Sequence, residues 1–342
     1  MFVDKFNNVI HVVSEESYSM TILGKPGSGK TYSNYRHIED SIRDGIAVLI
    51  VDFSGSYTEY EMERAELDKS LAVDIKNPYK GVVNLVSGET LEVAVENLSS
   101  SLCEALGIQA MTQRELLLNI SEKLMQANGY VTFHDVYEML QEFSETEEDS
   151  RYLENIDILK RRFFHMKKMH SLHVTYGMIP QMQGITILQI SDYTEDICRT
   201  IAQFILELEW CNNRTKHKSN KCLEIIIDEF QLLRVNDTGI EKLVRLGRKN
   251  GVGVVLLSQY MPNTEDKKII QLAENNLYFK PNDSDIVSTA KIIKFEKYRE
   301  WIPILKSLKR GEAVLTGKYT VNDNKKVLNE PIVISVISKQ ED

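Results

Sequence analysis

The composition and charge of this 342-residue chain are those of an ordinary globular protein. Hydrophobic residues make up 42% and charged residues 27%, which is enough to bury a core and excludes a disordered or fibrous chain. Because no apolar run approaches the roughly 20 residues of a membrane helix and the N-terminus carries no signal-peptide pattern, we expect a cytoplasmic protein without a membrane span. The net charge of −9 gives no general affinity for nucleic acid, although an acidic protein can still carry basic residues in a channel.

Strand and helix patterns alternate along the chain and predict an α/β fold. A buried strand at residues 20–23 leads through a glycine-rich turn into a helix at 30–43. Continuous apolar runs recur at residues 46–52, 185–190, 223–227 and 252–257. Runs of this kind are typical of strands covered on both faces, so we expect a mostly parallel central sheet.

A helical region interrupts this rhythm between residues 91 and 178. Gly107 and Gly129 are placed to end two helices, and Thr112 with Glu115 has the spacing of a capping box. A further helix is predicted to begin at Thr132-x-x-Asp135, which has the spacing of a helix start signal. Beyond it we expect an exposed acidic loop at residues 145–149 and a longer amphipathic helix at residues 152–170.

The strongest motif follows the first buried strand. Residues 24–31 read GKPGSGKT and fit G-x-x-x-x-G-K-S/T without a mismatch. In such a loop backbone N–H groups wrap phosphates, Lys30 reaches the β- and γ-phosphates, and the Thr31 hydroxyl binds Mg²⁺. The motif therefore predicts a site for ATP and Mg²⁺, with the nucleotide-binding residues Gly24, Lys25, Pro26, Gly27, Ser28, Gly29, Lys30 and Thr31.

A second motif places two acids at the end of a strand. Residues 223–230 read LEIIIDEF, the arrangement of a Walker B motif. In this arrangement Asp228 would hold Mg²⁺, and Glu229 would activate the attacking water as general base. Two acids after an apolar strand are common, and the preceding phosphate loop is what favours the catalytic interpretation.

A third element, residues 247–259, reads GRKNGVGVVLLSQ and has two interpretations. Gln259 closes a strand beside the Walker B strand, where it would sense the γ-phosphate or orient water. Arg248 is either an arginine finger that enters a neighbouring subunit's site or a cation that complements the dipole of a helix end. Arg245, one turn earlier, competes with Arg248 for the finger role.

The order of these motifs resembles the HerA/FtsK superfamily of ring ATPases, above all HerA-like proteins and the conjugation and type IV secretion ATPases. The resemblance covers roughly residues 15–338. HerA proper carries an N-terminal β-barrel before its Walker A motif, and with 23 residues before Gly24 we expect this chain to lack the barrel. The turn after the second strand also departs from the family, because Phe53 and Ser56 stand where the family has Pro and Glu. Further matching segments are residues 48–57, 184–191, 272–280 and 308–317.

This resemblance implies a RecA-like P-loop core with a helical insertion. The core would comprise residues 1–90 and 179–342, and the insertion residues 91–178. It further implies a homohexamer with ATP at subunit interfaces, Arg248 acting in trans, and Lys30, Thr31, Asp228, Glu229 and Gln259 at the nucleotide.

The function implied is a motor that translocates or unwinds double-stranded DNA with a partner protein such as a nuclease, in DNA processing or antiphage defence. Two alternatives remain open: an ATPase that energises a secretion or conjugation assembly, and a ring held together by ATP that serves as scaffold for an effector. A basic cluster at residues 160–168 is predicted to be an amphipathic helix with aromatic residues facing the core, with a DNA-contacting loop as the alternative. The basic run at residues 212–221 is predicted to be a solvated loop.

Overall fold

The fold is organised around one large sheet. In this computed structural model, which describes residues 2–14, 17–180, 182–236, 238–261, 267–322 and 324–336, twelve strands form that sheet and three form a smaller one. The strands are β1 Phe2–Asp4, β2 Val9–Val13, β3 Met20–Leu23, β4 Ala47–Asp52, β5 Val73–Lys76, β6 Val83–Val86, β7 Tyr130–Val131, β8 Leu172–Thr175, β9 Ile185–Gln189, β10 Leu223–Ile227, β11 Val252–Ser258, β12 Asn275–Phe279, β13 Glu312–Thr316, β14 Lys318–Val321 and β15 Ile332–Val336.

Helices cover both faces of this sheet. None of those described has the length and apolar character that crossing a bilayer requires. They are α1 Lys30–Arg43, α2 Glu59–Arg64, α3 Leu91–Leu106, α4 Met111–Asn128, α5 Phe133–Thr146, α6 Ser150–Phe163, α7 Glu195–Asn213, α8 Gly239–Leu246, α9 Lys267–Leu272, α10 Ile286–Ile293 and α11 Tyr298–Ser307.

Seven neighbouring strands of the large sheet are parallel. The full order is β14-β2-β1-β15-β13-β12-β3-β11-β10-β4-β9-β5, and the parallel block runs from β12 to β5. The other five strands pair antiparallel beyond β12. The α/β class, the mostly parallel sheet and the four apolar strands predicted from the sequence are therefore confirmed.

The parallel strands have continuous apolar sequences because both faces of the sheet are buried. In β4, Val48 and Ile50 pack into the hydrophobic cluster shared with α1 and α2, whereas Leu49 and Val51 pack into the cluster on the opposite face. A strand buried on both faces has no polar side to alternate with. The periodicity of an exposed sheet is therefore absent from the sequence.

The helical region contains α3 to α6, and three of its predicted boundaries are wrong. Thr112 caps nothing, because α4 begins at Met111 after Ala110 and has no side-chain cap bond. The stretch predicted to be helical through residue 170 ends as α6 at Phe163, followed by a short 3₁₀ turn and β8. The loop predicted at residues 145–149 begins only after Thr146, where α5 ends. Three predictions are confirmed: Gly107 and Gly129 end α3 and α4 in the left-handed conformation, and Thr132 forms a capping box with Asp135.

A buried ion-pair cluster joins α1 to β10. The Glu224 carboxylate is fully buried and accepts a hydrogen bond from Ser41 Oγ at 2.7 Å. It also lies 3.0 Å from His37 Nε2 and pairs with Lys221. Burial alone would raise the pKa of Glu224, but His37 and Lys221 reverse this and hold the pKa well below its usual range. The cluster thus fixes α1, the helix that starts at the phosphate loop, to β10, the strand that precedes Asp228.

We expect Glu224→Gln to lower the free energy of unfolding by about 3 kcal/mol at pH 7. The substitution removes the buried negative charge that compensates the positive charge of Lys221. A carboxyl whose pKa is depressed by folding stabilises above its unfolded pKa of 4.5, and this contribution is lost as the pH falls. The cost of the substitution should therefore shrink below that pH. Urea unfolding of the variant and the wild type at a series of pH values measures this difference in the free energy of unfolding. Glu63→Gln, which breaks the exposed pair with Lys69, is the matched control, and an equal effect of the two would contradict this account.

Candidate nucleotide site

The GKPGSGKT loop forms a cradle between β3 and α1. Gly24, Gly27 and Gly29 have positive φ angles of 154°, 74° and 109°. A Cβ on Gly24 would lie 2.6 Å from Phe279 Cβ, and one on Gly29 would lie 2.9 Å from the backbone nitrogen of Gly311. Glycine is thus required both for the turn and for the close approach of β12 and the turn before β13.

Lys30 turns back onto the loop that precedes it. Its Nζ donates to the carbonyl oxygens of Gly24 at 2.5 Å and Lys25 at 3.1 Å. Burial lowers the pKa of Lys30, while the carboxylates of Glu229 and Asp228 act to raise it. The amine thus lies within electrostatic reach of both Walker B acids. Thr31 follows in the first turn of α1 and is half-buried.

The turn after β4 brings the hydroxyl group of Ser54 against the Walker B residue Asp228. Asp52 is fully buried and accepts from the backbone N–H groups of Ser54, Ser56 and Tyr57 at 3.1–3.2 Å. This turn places Ser54 Oγ so that it donates a hydrogen bond to Asp228 Oδ2. The segment whose sequence resembles the family's second-strand turn therefore lies directly against Asp228.

Burial and, to a smaller extent, neighbouring carboxylates raise the pKa of Asp228. Burial is the largest cause, and the neighbouring carboxylates of Glu229 and Asp52 add to it; the Ser54 hydrogen bond and Lys30 act in the opposite direction. The pKa of Asp228 rises to about 7. Burial also raises the pKa of Asp52, although its backbone hydrogen bonds oppose the shift. A cation bound here would relieve this repulsion.

Two amides hold Glu229. The residue has φ 57° and ψ 44°, a left-handed conformation that costs a non-glycine residue on the order of 1 kcal/mol. This bend takes the chain out of β10 and into a short 3₁₀ turn. Gln259 Nε2 then donates to Glu229 Oε1, and Gln231 Nε2 donates to Oε2. Gln259 therefore contacts the predicted general base directly.

Arg248 lies at the opposite edge of the sheet. It belongs to the 3₁₀ turn of residues 247–250, which precedes β11, whereas Gln259 follows β11. The seven residues of β11 separate the two positions by about 20 Å. Arg248 is exposed, and its guanidinium has no partner among the described residues, whereas Arg245 pairs with Glu241 at 3.2 Å. Arg248 therefore does not reach the nucleotide site of its own chain.

Several side chains of the basic cluster at residues 160–168 make contacts within the protein. Phe163 is fully buried and Phe164 is half exposed, so only one of the two rings faces the core. Arg162 donates to the carbonyl oxygens of Leu106 and Gly107 at the end of α3. Lys167 lies 3.9 Å from the centroid of the Phe164 ring. These contacts favour the predicted amphipathic helix over a loop free to contact DNA.

The residues at this edge fit a nucleotide with Mg²⁺. The loop offers backbone N–H groups, a helix N-terminus and the amine of Lys30, which suit phosphate. Thr31 and Asp228 offer a hydroxyl and a carboxylate, the oxygen ligands that Mg²⁺ uses together with substrate phosphates. Within the described ranges no cluster of three His, Cys, Asp or Glu forms a closed metal site, and an open Mg²⁺ site needs none.

A family model for the central domain of the helicase HerA (DUF87) matches residues 10–209. The chain belongs to this family. The match covers more than half of the chain and confirms the resemblance drawn from the motifs. With its complete Walker A and Walker B motifs, this HerA-family chain is a P-loop ATPase. No curated protein sequence matches it.

Two solved structures illustrate the fold. VirB4 of Thermoanaerobacter pseudethanolicus has a TM-score of 0.69 at 15% identity, covering 99% of this chain and 96% of its own. The plasmid coupling protein TrwB with the non-hydrolysable GTP analogue GDPNP has a TM-score of 0.67 at 12% identity, covering 95% and 86%. At such identities the likeness concerns the fold, which is the predicted RecA-like α/β core.

Sequence reasoning missed Ser54 and Gln231. Ser54 stands inside the turn that resembled the family pattern, and the adjacency of β4 and β10 would have pointed to its contact with Asp228. Gln231 carries no sequence signal, because its contact depends on the left-handed bend at Glu229.

We expect Asp228→Asn to stabilise the nucleotide-free protein, and more at high pH. Folding raises the pKa of this carboxyl from 3.8 to about 7. Between these pH values the carboxyl is therefore ionised in the unfolded state and still protonated in the native state. Stability is therefore lost as the pH rises between these values. The gain from the substitution should be about 2 kcal/mol larger at pH 8 than at pH 5.5. Chemical unfolding at both pH values measures it, with Asp74→Asn on the exposed strand β5 as control, and a gain independent of pH would contradict the assignment.

Proposed function

We propose that this chain binds ATP with Mg²⁺ at the carboxyl edge of its parallel strands and transfers the γ-phosphoryl group to water. The observation that carries the proposal is the convergence of Lys30, Asp228, Glu229 and Gln259 at that edge. These residues come from three strand ends that are far apart in the sequence. The solved TrwB complex with ADP and Mg²⁺ is consistent with the cofactor assignment.

Each residue has a distinct task in this proposal. Lys30 exchanges the carbonyl oxygens of Gly24 and Lys25 for phosphate oxygens and neutralises their charge. Thr31 and Asp228 hold Mg²⁺, which offsets the charge of the phosphates when it is bound. Glu229 accepts the proton of the attacking water. Gln259 fixes the direction of the Glu229 carboxylate and exchanges that contact when the γ-phosphate is present.

We further propose that the active assembly is a homohexameric ring. Arg248 supports this, because it is exposed, unpaired within the described residues and about 20 Å from the nucleotide edge of its own chain. An arginine in that position stabilises transition-state charge only in a neighbouring subunit's site. In this ring Arg248 acts in trans, and Arg245 remains paired with Glu241 on its own helix.

The proposed work is movement of double-stranded DNA, in partnership with a second protein such as a nuclease or another effector, in DNA processing or antiphage defence. Membership of the HerA family favours this substrate. The specific rival is an ATPase that drives a conjugation or secretion assembly, which the likeness to VirB4 and TrwB over nearly the whole chain favours.

Linear double-stranded DNA is expected to stimulate steady-state ATP hydrolysis, and the stimulation should fall steeply with salt because it depends on phosphate contacts. ATPase activity measured with and without DNA across a salt series tests this, with Lys30→Ala as the inactive control. Hydrolysis that DNA leaves unchanged at every salt concentration would contradict the DNA motor and favour the secretion-type rival.

Subunit mixing tests the role of Arg248. Lys30→Ala and Arg248→Ala should each lose about 10³-fold in activity when assayed alone. A random equimolar mixture should regain about a quarter of wild-type activity, because one interface in four pairs an intact Lys30 with an intact Arg248. Arg245→Ala serves as the matched control and should remain active alone. No recovery on mixing, or loss of activity in Arg245→Ala instead, would contradict the assignment.

A further inference from the structure

A groove of about 400 Å³ opens on the helical region between α4, α5 and α6. This volume lies within the range of ligand-binding clefts, and no residue of the nucleotide site lines the groove. Each of the three helices contributes an apolar residue to the lining: Leu116, Phe143 and Ile156. The exposed residues Glu122 and Glu147 also line it, and it is called the acidic groove below.

The floor of the acidic groove is apolar. Leu116 and Ile156 are buried members of the main hydrophobic cluster, and Phe143 packs against that cluster while it lines the groove. Tyr152 lines the same groove and is 43% exposed. The Nζ of Lys123 lies 4.9 Å from the centroid of the Phe143 ring, on a long stem that can move aside. The groove therefore offers apolar surface that the apolar face of a partner would cover.

The helices that flank this floor carry most of the net charge of the chain. Residues 133–157, which include α5 and the first half of α6, contain nine carboxylates and one arginine, a net charge of −8. The whole chain has a net charge of −9. None of the nine carboxylates forms an ion pair with a residue in the described ranges. Negative charge concentrated in this way attracts a cationic partner and repels nucleic acid.

The same charges are unfavourable for α5 itself. The last turn of this helix contains Glu145 and no basic residue, and Glu147 and Glu148 follow at its C-terminal end. A helix C-terminus is stabilised by cations and destabilised by carboxylates. A sequence that opposes a local rule without internal compensation is typical of a functional surface. A bound cation would supply the compensation that the described residues of the chain do not.

Hydrogen bonds keep the loop beside the acidic groove in one conformation. Glu147 Oε1 accepts from the backbone N–H groups of Glu148 and Asp149, both at 3.0 Å. Asp149 Oδ1 in turn accepts from the backbone N–H of Arg151 at 2.8 Å and caps α6. The carboxylate of Glu147 is therefore positioned before any partner binds.

We propose that the acidic groove binds a basic amphipathic helix of another protein. The apolar face of that helix covers Leu116, Phe143 and Ile156, and its lysines or arginines face Glu122 and Glu147. A second copy of this chain fits the groove poorly, because the basic run at residues 212–221 contains no apolar side chain that could cover the floor. The inference is independent of the proposed ATP hydrolysis, since no residue of that site takes part.

The test uses a fluorescein-labelled peptide of about 18 residues that contains only Leu and Lys, with Leu at helical spacing so that one face is apolar. Fluorescence anisotropy with the full chain measures its dissociation constant. An isomer of the same composition, scrambled so that no helical face is apolar, should bind at least about tenfold more weakly. Raising the salt from about 50 mM to about 300 mM should weaken binding of the amphipathic peptide at least about tenfold.

Two variants locate the binding surface. The double variant Glu122→Gln with Glu147→Gln should weaken peptide binding about tenfold, and Tyr152→Ser should weaken it about fivefold. The matched control is Glu296→Gln with Glu300→Gln, which removes the same charge from exposed positions near α11 and should leave the constant within about twofold. All these positions are exposed, so the variants should unfold at the wild-type temperature, within about 2 °C.

Four results would overturn the acidic groove assignment: a peptide that does not bind the wild type, equal affinity for the two isomers, equal losses in the groove and control variants, or wild-type self-association that the peptide disperses. The last result would make a second copy the occupant. The proposed function fails separately, because Lys30→Ala should bind the peptide as the wild type does whether or not the chain hydrolyses ATP.

Discussion

The parallel register of β3, β11, β10 and β4 is the constraint on which the site depends. Leu23 lies opposite Ser258, and Ile227 lies opposite both Leu256 and Val51, so the four strands end at nearly the same level. Polar residues that follow these strands must therefore meet at one edge. The same register sends the turn before β11 to the other edge, and this is why Gln259 contacts Glu229 while Arg248 does not approach it.

Because these strand ends meet at one edge, several carboxylates lie close together there. Asp52, Asp228 and Glu229 share an edge with the amine of Lys30, and burial raises the pKa of both aspartates. The protein satisfies these groups internally: backbone N–H groups hold Asp52, Ser54 donates to Asp228, two glutamines hold Glu229, and loop carbonyls hold Lys30. In the proposed function, a bound phosphate and Mg²⁺ would exchange these internal contacts for ligand contacts.

Features that depend on residues close together in the chain could be predicted from the sequence. The phosphate loop requires glycines at fixed spacing, doubly covered strands are apolar throughout, and Gly107 and Gly129 end helices because their backbones turn left-handed. Thr112 shows the limit of such reading, since a capping pattern occurs by chance and α4 begins before it. Ser54, Gln231 and the Glu224 cluster could not be predicted, because each is defined by contacts between distant segments. The family match supports the motif reading for the core, whereas the roles of individual residues and the boundaries of the helical insertion stay predictions.

In the proposed function this strand edge is a catalytic ATP site with Glu229 as its general base. Equilibrium binding of Mg·ATP and single-turnover hydrolysis, measured on the same preparations of wild type and Glu229→Gln, test it most directly. We expect the variant to bind Mg·ATP with a dissociation constant within about threefold of wild type and to hydrolyse it at least about 100-fold more slowly. Hydrolysis of bound ATP by the variant at the wild-type rate would show that Glu229 is not the general base.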